Sequence, residues 1–366
     1  MIYDAIIVGA GPAGCMAAYE LAKAGKIVLL LEKEKLPRYK ACGGGIPKIG
    51  LEQLDFDYGS AVDNWVDKVR YSYECKQPIE IKLAKPIVAM VMRDKFDYLL
   101  AQRAVAAGAD LLERVNVTEI ISSGKIVRAG NGKHSWEARY LIGADGALSS
   151  VAKKSGLRKP GHLAVALEVE LPYRIKWNKA LAEFGFGIID GGYAWAFPKN
   201  EFLSVGIGAP YNKQKLMHER LTKWLDYLGY DYIDERIHGH PLPFFEKEIK
   251  LVDKNILLAG DAAHLMDPLS GEGIQHALVS GKLAARAIIK NDLKLYQKEV
   301  KQKISNNLKI SARLAKFFYT FPKFSYEQAV KNPRSTELFA KLLAGEISYQ
   351  EIWEKAKKRM FRVFPS

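Results

Sequence analysis

Cysteine is scarce in this chain: Cys15, Cys42 and Cys75 are the only three in 366 residues, and none stands in a C-x-x-C spacing. That excludes a disulfide framework and leaves no thiolate metal site or dithiol pair, so no metal is expected and a reducing, cytoplasmic setting fits best. Long apolar runs are also missing. The longest uncharged stretch, residues 5–19, is broken by glycines and resembles neither a signal peptide nor a spanning helix. The expectation is a soluble or peripheral protein, cytoplasmic and at most peripheral on the inner face of a membrane. There is no internal repeat, no low-complexity linker and no second G-x-G-x-x-G for a separate nicotinamide domain.

Positive charge is plentiful. The net charge is +14, and residues 290–366 hold 17 basic and 7 acidic side chains. Such a segment is either a solvated face or a surface for anionic lipid or nucleic acid phosphate. Phe317, Phe318, Tyr319, Phe321 and Phe324 punctuate it as interfacial aromatics would, which favours peripheral contact with an anionic membrane over nucleic acid. Core packing of any one of these rings is an equal alternative.

The strongest pattern is at the front. Ala5-Ile6-Ile7-Val8 runs into Gly9-Ala10-Gly11-Pro12-Ala13-Gly14, a helix is predicted from Pro12 to about Ala24, and a second apolar run ends in Glu32. Gly9 permits the turn, Gly11 lets backbone approach a pyrophosphate on the helix N-terminus, and Gly14 lets helix and strand pack closely. Glu32 is placed to accept from ribose hydroxyls, and its carboxylate would repel a 2′-phosphate. A dinucleotide site follows, without NADP in it.

With 48% apolar residues the chain can bury one large core or two moderate ones. After a glycine-rich loop at Pro37–Gly45, alternation predicts strands at Val69–Tyr73 and Ile79–Leu83, then a helix with Asp94 as its N-cap. Residues 163–209 read as β-rich, with a helix near Lys213–Leu228. A buried strand ends at Gly260-Asp261, and Gly271-Glu272-Gly273-Ile274 opens a helix to about Ile289. The remainder, 293–366, reads as helical. The resulting expectation is an α/β, two-lobed (α+β) chain. A Rossmann-like FAD/NAD(P)-binding domain is built discontinuously from 1–60, 86–160 and 250–292. A mixed β-sheet substrate domain, 61–85 and 161–249, is inserted in it, and a helical basic C-terminal segment, 293–366, follows.

The fingerprint, Ile142-Gly143-Ala144-Asp145-Gly146 and Gly260-Asp261-Ala262-Ala263 together resemble the p-hydroxybenzoate hydroxylase-like FAD superfamily over about the first 290 residues. Within it, Pro37–Gly45, Tyr193-Ala194-Trp195-Ala196-Phe197-Pro198-Lys199 and Pro268–Ile274 resemble motifs of the geranylgeranyl reductase family. That resemblance implies FAD, with Asp261 on its ribityl chain, Arg93 at its phosphates, and the helix near Gly271 aiming amides at the flavin pyrimidine. It adds Ala13, Ala41, Cys42, Gly43, Gly44, Val117, Gly273 and Ile274 as cofactor contacts.

The implied reaction is saturation of isoprenoid double bonds on a lipid, pigment or quinone side chain by hydride from reduced flavin. Tyr193, Trp195 and Phe197 alternate on a strand, so all three face one way as a candidate substrate wall. Cys42, Tyr193 and Trp195 are the candidates for substrate contact or proton supply. Two positions depart from the pattern: His264 stands where many reductases have glycine, and Ala152 stands where hydroxylases place an NADPH-assisting arginine. The external electron donor therefore stays open between NAD(P)H and a ferredoxin-like protein. An aromatic monooxygenase or halogenase of the same fold is one alternative. A membrane- or nucleic-acid-binding protein with structural FAD is the other.

Overall fold

Val28–Leu31 is apolar and buried at every position, as a strand covered on both faces must be. It pairs in parallel with Ile2–Val8, which pairs in parallel with Ser135–Gly143, and that strand with Ile256–Leu258. Asp110–Leu112 closes one edge and Val252–Asp253 the other. The structure, a computed structural model, describes residues 1–83, 85–157, 163–174, 176–230, 236–343 and 346–354. Among these, the strands form sheets of eight, seven and three.

Two helices cover one part of the parallel sheet. Pro12–Lys23 begins directly at the fingerprint with proline in its first turn, where the missing N–H costs no bond. Ile274–Ile289 lies against it at a contact made by the smallest residues: a Cβ on Gly281 would stand 2.2 Å from the Ala13 carbonyl oxygen. Glycine at 281 is what lets the backbones approach. Arg93–Ala106 packs beside them, and here one expectation is corrected: Met92 occupies the N-cap position, while Asp94 lies in the first turn and accepts from the Lys95 amide.

The seven-stranded sheet runs His238–Leu242, Ala164–Pro172, Phe202–Pro210, Tyr193–Pro198, Leu181–Phe186, Lys68–Tyr73, Lys76–Lys82. One face carries Ala194, Ala196, Val205 and Ile207 and is covered by the helix Met217–Tyr227, chiefly through Trp224. Trp224 also donates its indole N–H to the Trp195 carbonyl at 3.0 Å, which satisfies the buried nitrogen. The other face is left for the cavity. Val62–Val66, Gly45–Pro47 and Val88–Val91 form the small third sheet beside it. The described part of 293–366 is helical from Leu293 to Leu343, with two π-type turns; residues 344, 345 and 355–366 lie outside the described residues.

Candidate active site

A cavity of about 940 Å³ runs from the fingerprint to the open face of the seven-stranded sheet. At its first end the backbone is unusually close: a Cβ on Gly14 would meet the Gly9 carbonyl oxygen at 1.9 Å, and one on Gly9, at φ +102, would meet the Ala144 oxygen at 2.4 Å. Gly14 is therefore the packing residue and does not line the cavity. Gly11 has nothing nearer than Arg38 Nη2 at 3.9 Å and does line it. The helix it opens has no side-chain cap, so its first amides are free for an anion.

Glu32 is buried at the same end, and its carboxylate braces the turn. Oε2 accepts from the Ala10 amide at 2.8 Å, and Oε1 accepts from the Glu34 amide at 3.1 Å. Arg38 Nε stands 3.5 Å from Oε1. Each carboxylate oxygen has two lone pairs, so capacity for ribose hydroxyls persists.

Arg38 was not singled out from the sequence, and neither was its other partner, Asp97. The buried Asp97 carboxylate receives Arg93 Nε and Nη2 at 2.8 Å each and Arg38 Nη1 at 3.1 Å. Burial alone would raise this carboxyl, but the Arg93 and Arg38 guanidiniums outweigh it and hold the group below the usual carboxylate range. Arg93 lines the cavity, held there by the acid one helical turn on. The i,i+4 spacing of Arg93 and Asp97 was the available signal.

Lys40 and Asp261 meet across the cavity floor at 3.5 Å. Burial and the Arg93 charge lower the Lys40 ammonium against the pull of Asp261. Beyond them Gly273 is the N-cap of Ile274–Ile289, and Glu272 Oε1 accepts from the Gln275 amide in the first turn at 2.6 Å. The loop before it is clamped. Asp267 accepts from the Leu269 and Ser270 amides and from Ser311 Oγ, while Tyr193 and Tyr319 donate to the Ser270 and Leu269 carbonyls. Ala13, Ala41, Cys42, Gly43, Gly44, Val117, Gly271, Gly273 and Ile274 all line the same cavity. His264 does not. It is the C-cap of the turn Gly260–Ala263, at φ 53, and is buried.

The open sheet face changes character across its strands. Tyr71, Phe184, Phe186, Tyr193, Trp195 and Phe197 line the cavity on one half. Gly206 and Gly208 follow in register with Trp195 and Tyr193, and Glu168 and Ala166 stand opposite those glycines, with His238 and His240 beyond. A Cβ on Gly206 would stand 2.2 Å from the Trp195 ring, so the indole lies over the glycine toward Glu168. The loop carrying Cys42 closes onto this wall, since a Cβ on Gly43 would meet Phe197 at 2.9 Å and Trp195 Nε1 at 3.1 Å. Lys199, only 1% exposed, holds the loop by donating to the Gly43 and Val91 carbonyls at 2.8 and 3.1 Å.

Two helix N-termini, a buried acid beside the first and a lined trough between them are the framework of a Rossmann-type flavin oxidoreductase. The FAD binding domain family matches residues 2–177. The digeranylgeranylglycerophospholipid reductase of Thermoplasma volcanium is 33% identical over 324 residues, 79% of this chain and 80% of that protein. A solved structure from Thermoplasma acidophilum, described as geranylgeranyl bacteriochlorophyll reductase-like, aligns with TM-score 0.78 at 26% identity over 87% of this chain and 88% of its own. A flavin-dependent brominase aligns over 100% of both chains with TM-score 0.79 at 21% identity, which shows the shared fold alone.

The chain belongs to the geranylgeranyl reductase family. It is an FAD-dependent oxidoreductase that acts on carbon–carbon double bonds, and FAD is its cofactor.

Proposed function

We propose that this enzyme saturates the double bonds of a geranylgeranyl-type chain carried on a lipid, pigment or quinone. The observation that carries this reading is the aromatic half of the sheet face. Six rings line it, and it abuts the Cys42–Gly44 loop, so a long apolar chain could lie against it with an alkene presented to the cofactor trough. Aromatic walls of this kind bury large apolar area and orient a flat group by ring contacts. Bound FAD would supply the hydride. The chain's own part is to hold the cofactor between the fingerprint and the Gly273 helix end, to exclude water, and to fix the alkene in reach.

The relatives support the substrate class, and two features of the chain support where it is met. Among the described residues no helix is long and apolar enough to cross a membrane. Phe317, Phe321 and Phe324 are nevertheless 52, 54 and 55% exposed and cluster ring to ring, beside Lys316 and Lys323. Phe318 and Tyr319, on the helix of Phe317, turn inward: Phe318 packs on Phe186, and Tyr319 lines the cavity. The helix Asn306–Thr320 and the short helix Pro322–Ser325 after it thus join an apolar, basic outer surface to the substrate wall, which fits docking on an anionic lipid surface.

The test uses holoenzyme reduced anaerobically with dithionite, which removes any dependence on the natural donor. Addition of geranylgeranyl diphosphate is expected to reoxidise the flavin without oxygen and to yield a product heavier by one hydrogen pair per saturated bond. No reoxidation by any prenyl chain, with halogenation or hydroxylation of an aromatic substrate once oxygen is admitted, would overturn the reading.

A further inference from the structure

Glu168 is only 2% exposed, yet it lines the cavity. Its Oε1 accepts from Ser204 Oγ at 2.6 Å, and Ser204 Oγ in turn receives the Trp195 indole N–H at 3.4 Å. Its Oε2 is buried without a hydrogen-bond partner among the described residues. Buried polar atoms are rarely left unmade, and one at a cavity wall reads as a group whose partner is the ligand. The register places this carboxyl next to the substrate wall. Glu168 stands opposite Gly206, Gly206 stands opposite Trp195, and the glycine puts no side chain between them.

We propose that Glu168 is the acid that gives the proton to the prenyl alkene, with Ser204 holding its carboxyl beside Trp195. The inference rests on the reductase reading. The carboxyl O–H bond breaks as a C–H bond forms at one alkene carbon, and the other carbon takes the hydride supplied by reduced FAD, which is oxidised as the alkene is reduced. Glu168 is left as carboxylate and regains its proton from water once the saturated product has left.

The surroundings suit an acid that stays protonated until it is used. Burial pushes its carboxyl up to about 7, while the Ser204 hydroxyl and the Lys199 ammonium pull it back, Glu170 adds to the rise, and the Cys42 backbone amide beside it lowers it again. Lys199 comes from the end of the Trp195 strand, Glu170 is on Glu168's own strand, His238 is opposite on the neighbouring strand, and Cys42 and Tyr39 face it from the glycine loop. A proton donor working near neutral pH requires a pKa in that region. An ordinary exposed glutamate would already be ionised.

The experiment uses reduced holoenzyme and geranylgeranyl diphosphate under anaerobic single-turnover conditions. E168Q, which keeps shape and removes the proton, is expected to slow flavin reoxidation by roughly 10²–10³-fold, within the usual worth of general acid catalysis, and E168D to restore part of it. The wild-type rate should fall as pH rises through the Glu168 titration, and E168Q should lack that limb. A second readout does not depend on turnover: infrared difference spectra of the oxidised holoenzyme should show the C=O stretch of a protonated carboxyl that titrates in wild type and vanishes in E168Q. Equal rates in wild type and E168Q, or no E168Q-sensitive band, overturn the assignment alone. Failure of wild type to reoxidise with any prenyl chain overturns the reductase reading and this inference with it.

Discussion

Gly11 and Gly14 sit three residues apart in one motif and do different work. A methyl on Gly14 would collide with the Gly9 carbonyl, a backbone atom with nowhere to go. G14A is therefore expected to destabilise the protein by about 1–3 kcal/mol, visible as a lowered thermal midpoint with or without flavin. A methyl on Gly11 meets nothing within 3.9 Å and enters cavity space instead. G11A should keep the thermal midpoint of the flavin-free protein and lose FAD, measured as the flavin-to-protein absorbance ratio. Titration separates two other residues. Glu168 is raised from 4.5 to about 7, so between those values the folded state keeps a proton that the unfolded state releases, and stability falls as pH rises. His240 is lowered from 6.5 to about 4 by burial and the Lys40 charge, so its unfolded form takes the proton first and stability falls as pH drops through that window. In the flavin-free protein, thermal midpoints measured against pH should tilt in opposite directions: E168Q removes the loss toward neutral pH, and H240N removes the loss toward acid.

Among the elements, the ones with strict periodicity were the legible ones. Alternation at Tyr193, Trp195 and Phe197 correctly placed three rings on one face, because a strand has only two faces to choose from. The helix at Arg93 is legible but its cap is two residues earlier than expected, since Asp94 is a good capping type but Met92 already holds the extended backbone that the position needs. The aromatic basic segment could not be resolved from sequence. Phe317 lies in the last turn of the helix Asn306–Thr320, Phe321 breaks it and Phe324 lies in the next short helix, Pro322–Ser325, so the break brings the three rings together, and which side meets the protein depends on what lies beneath. Replacing the three exposed phenylalanines by serine is expected to weaken binding to phosphatidylglycerol vesicles by roughly 100-fold, from the loss of about 3 kcal/mol of apolar burial. Flotation with vesicles measures it, and the flavin spectrum should be unchanged.

At the scale of the molecule, the site exists because two sheets share one cavity. The parallel sheet contributes strand ends and helix N-termini at one end of that cavity. The seven-stranded mixed sheet contributes a face that passes from six rings through a pair of glycines to an acid and two histidines. Neither alone is an enzyme. Glu168 and Lys199, both buried, stand at the Cys42–Gly44 loop, where the two halves meet.

The sequence by itself determined the cofactor half of this protein. The glycines of the turn and Glu32 fall within one strand–helix–strand unit, so their spacing alone marks a nucleotide-type fold. Tertiary structure alone decided the other half. Glu168, Gly206 and Trp195 are distant in the chain and become neighbours only through strand register, and Asp97 and Arg38 become partners only when helix and loop close. Such pairings follow from long-range contacts formed by burying apolar faces, and no local pattern records which polar groups those faces bring along.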